Sequence, residues 1–208
     1  MPVTPTLEED LLIHTVMVQG GSVTVGDTAM PFVRIGMAGI PVDELGQGSR
    51  PVERVVGAVL NLDQADELAS GLRSVMAHEP WGVAALANPA RAIWRETSAL
   101  SEGDMLVAGL GARITGGETI RLVRMDFTGI WLGGPTPDDQ QLYTQGALFP
   151  DPVQLCSLIS SVKKCVKAIR TASSTPARSR DEQASAGDGG TTATVERNEP
   201  AVTDEARL

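Results

Sequence analysis

The two histidines, the two cysteines and the adjacent acids Asp138-Asp139 are the residues of this 208-residue chain to weigh first for catalysis or metal binding. A zinc-type centre needs three or four ligands within reach of one point, whereas His14, His78, Cys156 and Cys165 are spread along most of the sequence. No metal and no cofactor is therefore expected. His14 falls on a strand, and Ala108 occupies its aligned place later in the chain, so it is read as a core or edge residue rather than a ligand or base. Cys156 and Cys165 sit nine residues apart on one predicted helix. That spacing puts them on opposite faces, about 13 Å apart along the axis, too far to bridge. Asp138-Asp139, after Gly133-Gly134-Pro135, can hold a cation or serve as acid and base, although solvated turns have the same composition. The nucleophile elbow Gly-x-Ser-x-Gly is missing, as is a Walker loop. Gly109-Leu-Gly111 begins like a dinucleotide fingerprint, but Ile114 stands in the place of the third glycine. No catalytic residue is assigned, and the reading leans against an enzyme.

The more informative pair is Arg34 and Arg124, which occupy matching places in two related stretches. Phe32-Val-Arg-Ile-Gly-Met-Ala-Gly-Ile-Pro-Val42 reappears as Leu122-Val-Arg-Met-Asp-Phe-Thr-Gly-Ile-Trp-Leu132. Val23 to Thr28 returns as Ile114 to Thr119, and Gln64 to Val75 as Asp151 to Val162, giving 11 identities in 29 aligned residues. The chain is read as a tandem duplication. Both arginines fall on the outward side of a period-2 pattern whose inward residues are Val33, Ile35, Met37 and Val123, Met125, Phe127. They can bind two copies of an acidic motif, or lay their stems over neighbouring apolar surface. Trp81 and Trp131 join them as candidate binding residues.

The elements that position these side chains follow from periodicity. Residues 1–9 are expected to be a flexible lead-in, 10–77 a first repeat, 78–101 a helical connector, 102–171 a second repeat and 172–208 a disordered tail. Each repeat reads as a small, mainly antiparallel sheet followed by one amphipathic helix, an α+β fold with pseudo-twofold symmetry. In the first, Leu11–Val18 is a strand, Gly20-Gly21 a turn, and Gly39-Ile40 ends the next strand as Gly129-Ile130 does in the second. Val52–Leu60 and Leu142–Phe149 supply a further strand each. Asp63 is expected to cap the first helix, with Ala65, Leu68, Leu72 and Val75 as its stripe. Asp151-Pro152 opens the second, with Gln154 completing a capping box and Val153, Cys156, Ile159, Val162, Val166 and Ile169 as its stripe. Asn88-Pro89 marks a short connector helix reaching Ser98, and Trp81, Ile93 and Trp94 are read as cement between the repeats.

Composition narrows the partners. A net charge of −9 argues against a nucleic-acid groove, and the one basic cluster, Lys163, Lys164, Lys167 and Arg170, suits the end of a helix. The N-terminal residues lack the basic and apolar regions of a signal peptide, and no apolar run is long enough to span a bilayer, so a cytoplasmic location without membrane contact is expected. Three lysines against fourteen arginines fit a GC-rich genome.

Asp10-x-x-x-His14, followed by strands and Leu60-x-Leu-x-x-Ala65-x-x-Leu68-Ala-x-x-Leu72, resembles a family of small actinobacterial proteins of unknown function. Members combine a short Asp-x-x-x-His strand, a valine-rich hairpin and an Ala/Leu helix. Many also carry a Cys-Pro-x-Trp-Cys segment, which this chain lacks, so no metal role is carried over. The resemblance covers the first repeat and implies origin and fold class, with no activity attached. The expected function is a non-enzymatic binding or adaptor protein of an actinobacterium or its phage, presenting a pseudo-symmetric surface to a protein partner. The alternative is a small-ligand sensor or enzyme with its site in the cleft between repeats.

Overall fold

In a computed structural model, residues 6–7, 9–46, 51–88, 91–117, 120–133 and 141–174 are described. They form, in order, β1 Thr6–Leu7, β2 Leu11–Val25, β3 Thr28–Pro41, β4 Arg54–Leu60, α1 Leu62–Ala77, α2 Pro80–Ala87, β5 Trp94–Glu96, β6 Asp104–Gly116, β7 Arg121–Trp131, β8 Tyr143–Phe149 and α3 Pro152–Ser174. All the strands join one mixed sheet, and the fold is α+β. Strand order is β1-β8-β7-β6-β4-β3-β2-β5, with a further pairing of β8 to β2, so six strands make a closed ring of pairings. Each trio, β2-β3-β4 and β6-β7-β8, is antiparallel inside itself. Two parallel seams join the trios. At one, Gly57, Ala58 and Val59 of β4 face Asp104, Met105 and Leu106 of β6; at the other, Leu11 and Leu12 of β2 face Ala147 and Leu148 of β8. An isolated three-stranded sheet has two open edges, and the seams pair a short stretch of each.

The trios match in detail. His14 is an extra residue in the β2–β3 ladder, and Ala108 is the extra residue in the β6–β7 ladder. Opposite each bulge lies a glycine in close approach: a Cβ on Gly39 would stand 2.6 Å from the Leu12 carbonyl oxygen, and one on Gly129 would stand 2.1 Å from that of Leu106. These glycines admit a neighbouring backbone near the ends of their strands, which finish one residue beyond Ile40 and Ile130, at Pro41 and Trp131. The turn expected at Gly20-Gly21 is not there. Strand β2 continues to Val25, and the chain reverses at Gly26, whose φ is +60°. A Cβ on Gly20 would stand 2.4 Å from the Cys165 sulfur and one on Gly21 would stand 1.8 Å from the Thr97 carbonyl oxygen. Packing against α3 and the segment after β5 therefore accounts for both glycines.

One face of the sheet carries Val33, Ile35, Met37, Val123, Met125 and Phe127, all fully buried, as the alternation predicts. They share a single core with Leu68 and Leu72 of α1 and Ile159 and Val162 of α3. Asn61, not Asp63, caps α1: its side chain accepts from the amides of Asp63 and Gln64, and Gln64 returns a bond to the Asn61 amide. Asp151 caps α3 through the Val153 amide. The capping box expected from Gln154 does not form, since its Oε1 is buried without a partner, and Val153 is exposed rather than part of the stripe. The buried positions of α1, namely Ala65, Leu68, Ala69, Leu72 and Met76, correspond one for one to Leu155, Leu158, Ile159, Val162 and Val166 of α3. That correspondence shifts the helix match by most of a turn from the one that sequence identity suggested.

The connector departs most from expectation. Its helix is α2, Pro80–Ala87, with Pro80 in the first turn, and the stretch expected to be helical contains β5 instead. Trp94–Glu96 pairs in parallel with Val18–Gly20, because β2 outruns its partner β8 and leaves an edge to fill. Thr6–Leu7, expected in the flexible lead-in, extends the same edge of β8 as a parallel strand. Helix α3 runs to Ser174, three residues into the expected tail, and the remainder, 175–208, lies outside the described residues. No helix among the described residues is long and apolar enough to cross a membrane.

Candidate functional site

Arg34 and Arg124 sit on β3 and β7, two residues along the outer face from Gly36 and Asp126. Alternation brings both guanidinium groups to the face opposite the core, where each reaches across a seam between the trios. Arg34 donates through Nε to both carboxylate oxygens of Asp104, at 2.8 and 2.9 Å, and its Nη2 lies 2.7 Å from Oδ1. Its Nη1 donates to Gln19 Oε1 at 2.6 Å. Asp104 opens β6, is fully buried, and also accepts from the Ser101 amide at 2.7 Å. Arg124 donates through Nε to Asp126 at 2.7 Å and through Nη1 to Asp10, the residue before β2. Asp126 accepts in turn from Arg113 at 2.6 Å.

The arrangement is reciprocal. An arginine of the first trio holds an acid that opens the second, and an arginine of the second holds an acid beside the opening of the first. The strand between them supplies a glycine each time: a Cβ on Gly57 would stand 1.8 Å from Asp104 Oδ1, and one on Gly146 would stand 2.1 Å from Asp10 Oδ1. Only a residue without a side chain lets the carboxylate lie flat on the sheet there.

Electrostatics follow from this geometry. Burial pushes the Asp104 carboxyl up, but the Arg34 bonds and the Ser101 amide outweigh it and leave the group below the ordinary carboxylate range. Burial likewise lowers the Arg124 guanidinium, and the bonds from Asp126 and Asp10 more than reverse that. Asp104 and Arg124 are thus each held in the charged form. Both arginines are engaged in ion pairs within the chain, Arg34 with Asp104 and Arg124 with Asp10 and Asp126. The carboxylates that reach them across the seams, Asp10 and Asp104, were not singled out as partners by sequence reasoning. The signal was present, because the alignment that pairs His14 with Ala108 also pairs Asp10 with Asp104.

The other expected residues separate from this cluster. Trp131 is half-buried at the end of β7 opposite Met105, and Trp81 is half-buried in α2 with its indole N–H buried and unpaired. His14 is exposed at its bulge, 3.0 Å from the Thr15 hydroxyl and 3.5 Å from Glu53. His78 bonds the Ser74 carbonyl one turn back in α1. Both cysteines are free and buried, and burial alone pushes the Cys165 thiol up to about 11. Arg170, of the basic cluster, pairs with Asp63 and Asp66 at the start of α1. Asp138-Asp139 lie outside the described residues. No group of three metal-ligating side chains occurs among the described residues.

Beside the buried pairs, the same face carries aliphatic side chains. Leu106 and Ile130 are cross-strand neighbours two residues or more beyond Asp104 and Arg124, and they are 52% and 41% exposed. The first trio repeats the same two residue types in the same place, where Leu12 pairs with Ile40, both half-buried. Val55 is exposed on this face of β4. Compared with family models, curated proteins and solved structures, the chain matches none.

Proposed function

We propose that this chain is a cytoplasmic, non-enzymatic binding or adaptor protein of an actinobacterium or its phage, built by tandem duplication, and that it presents the outer sheet face to a protein partner. The observation that carries this reading is the repeated Leu–Ile pair, Leu12–Ile40 and Leu106–Ile130, set on equivalent strands beside equivalent ion pairs. Leu106 and Ile130 are exposed aliphatic neighbours, the material of an interface core, and Leu12 and Ile40 are half-buried in the matching place. The charged groups beside them are ion-paired. Duplication is supported by the matched bulges, the matched close-approach glycines and the matched buried positions of α1 and α3. Among the described residues, Asp104 and Asp10 are engaged in ion pairs and both thiols are buried.

Affinity capture from a host lysate tests the reading, with the full chain and its Leu106→Asp, Ile130→Asp double variant as baits. A protein retained by the first and lost from the second is the expected result. Equal retention by both, or no retained protein, overturns it.

One observation favours the ligand-sensor reading instead. A cavity of about 320 Å³ lies between β2 and α3, lined by Val16, Val18, Trp94, Arg95, Gln154 and Ser157. It joins the first trio, the connector and the last helix. A metabolite that raises the thermal midpoint, and fails to do so after Ser157→Trp, identifies that function.

A further inference from the structure

Strand β2 has an uncovered stretch between its two parallel partners. It pairs with β8 only at Leu11 and Leu12 and with β5 only from Val18 to Gly20, so no described strand accompanies residues 13–17 on that edge. The cavity of about 320 Å³ lies where α3 and the start of β5 meet this gap. Two serines of α3 tie the β5 segment down beside it. Ser161 Oγ accepts from the Ile93 amide at 2.9 Å and donates to the Ser157 carbonyl at 2.6 Å, and Ser157 Oγ donates to the Arg91 carbonyl at 3.1 Å. Both hydroxyl protons are thereby spent.

Two other polar side chains of the lining are not used by the fold. Gln154 makes no hydrogen bond among the described residues through either end of its amide, and its Oε1 is buried. Arg95 is exposed and has neither an ion pair nor a hydrogen bond among the described residues. A buried acceptor without a donor weakens the empty chain, and a bound donor removes that cost. The remaining walls are apolar, formed by Val16, Val18, Ile93, Leu158 and the half-buried ring of Trp94. No acid occurs among the described lining residues, although the whole chain carries a net −9.

We propose that this cavity binds a small aromatic hydroxy acid, an inference that rests on the ligand-sensor reading and gives it a ligand class. Each part of such a molecule meets a group that the fold leaves free. The carboxylate faces Arg95, the one charged residue of the described lining, in a charge-assisted hydrogen bond. The hydroxyl donates to Gln154 Oε1, and the ring packs on Trp94 between aliphatic walls. A hydroxyl suits the site better than an ammonium, which Arg95 repels and which no acid of the described lining offsets. Size agrees, because the cavity stands at the small end of the roughly 300–1,000 Å³ range of ligand pockets. One ring with a short acid side chain fits that space.

Isothermal titration calorimetry of the full chain tests the proposal with three probes: 3-phenyllactate, 3-phenylpropionate, which lacks the hydroxyl, and 3-phenyllactamide, which lacks the charge. The wild type is expected to bind 3-phenyllactate, to bind 3-phenylpropionate about fivefold more weakly, and to bind the amide about tenfold more weakly. Arg95→Met is expected to bind 3-phenyllactate and its amide alike. Gln154→Leu is expected to bind 3-phenyllactate and 3-phenylpropionate alike, and its thermal midpoint without ligand to be no lower than that of the wild type. Equal binding of all three probes by the wild type, or a preference for the charged probe that survives Arg95→Met, overturns the ligand class while leaving the cavity a binding site. Failure of all three probes to bind also overturns it. The ligand-sensor reading fails as well only when no other metabolite gives a rise in thermal midpoint that Ser157→Trp abolishes.

Discussion

The buried carboxylate of Asp104 on β6 is held by Arg34 on β3 across the whole width of β4, with Gly57 beneath the contact. Seventy residues separate the two in sequence, so this one ion pair binds two halves of the chain. Breaking a buried pair leaves the other charge unpaired, which costs about 3–5 kcal/mol, whereas replacing both partners with apolar groups of similar volume is often neutral. Asp104→Ala is therefore expected to lower the free energy of unfolding by about 3 kcal/mol or more, and Arg34→Met with Asp104→Leu by much less. Urea titrations of the three chains check this.

The same carboxylate makes stability depend on pH in a defined window. Its folded-state pKa is depressed, so the unfolded chain binds the proton more readily, and stability rises with pH where the two states differ. The contribution of Asp104 is complete above the unfolded carboxylate value of about 3.9 and is lost as pH falls through the folded value. Wild type and Asp104→Asn, compared by thermal unfolding between mildly acidic and strongly acidic buffers, are expected to converge in stability below that point.

Glycine substitutions separate close approach from open space. Gly57→Ala and Gly146→Ala place a methyl group on a carboxylate oxygen of Asp104 or Asp10 and are expected to destabilise strongly. Gly71→Ala, in the middle of α1 with nothing near its Cβ position, is expected to stabilise by roughly 0.5–1 kcal/mol. Thermal midpoints of the three single variants test both directions.

Cys165 is buried against Gly20, and its thiol is pushed up to about 11, while burial also raises that of Cys156. Since the thiolate is the reactive form, both cysteines are expected to resist an aromatic disulfide reagent at mildly alkaline pH in the native chain and to react at once in denaturant. Titrating released thiol with and without urea measures this.

Much of the architecture was legible in the sequence because alternation and helical stripes are local. Val33, Ile35 and Met37 announce β3, and Asp151-Pro152 announces α3. What escaped depends on contacts distant in sequence. Gly20 and Gly21 look like a turn until Cys165 and the Thr97 carbonyl are found pressed against them. Asn88-Pro89 looks like a helix start, but an unfilled edge on β2 draws Trp94–Glu96 into the sheet. The arginines were visible as a repeated outward pair and Asp10 and Asp104 as an aligned pair of acids, whereas the crossing of each arginine to the acid of the opposite trio became visible only once the two trios were seen to share a sheet.

If the reciprocal pairs and the two parallel seams make one body of the two trios, neither trio can unfold while the other persists. Differential scanning calorimetry of the full chain addresses this directly. A single transition whose calorimetric and van't Hoff enthalpies agree is the expected result, and two resolved transitions, or a calorimetric enthalpy well above the van't Hoff value, would contradict it.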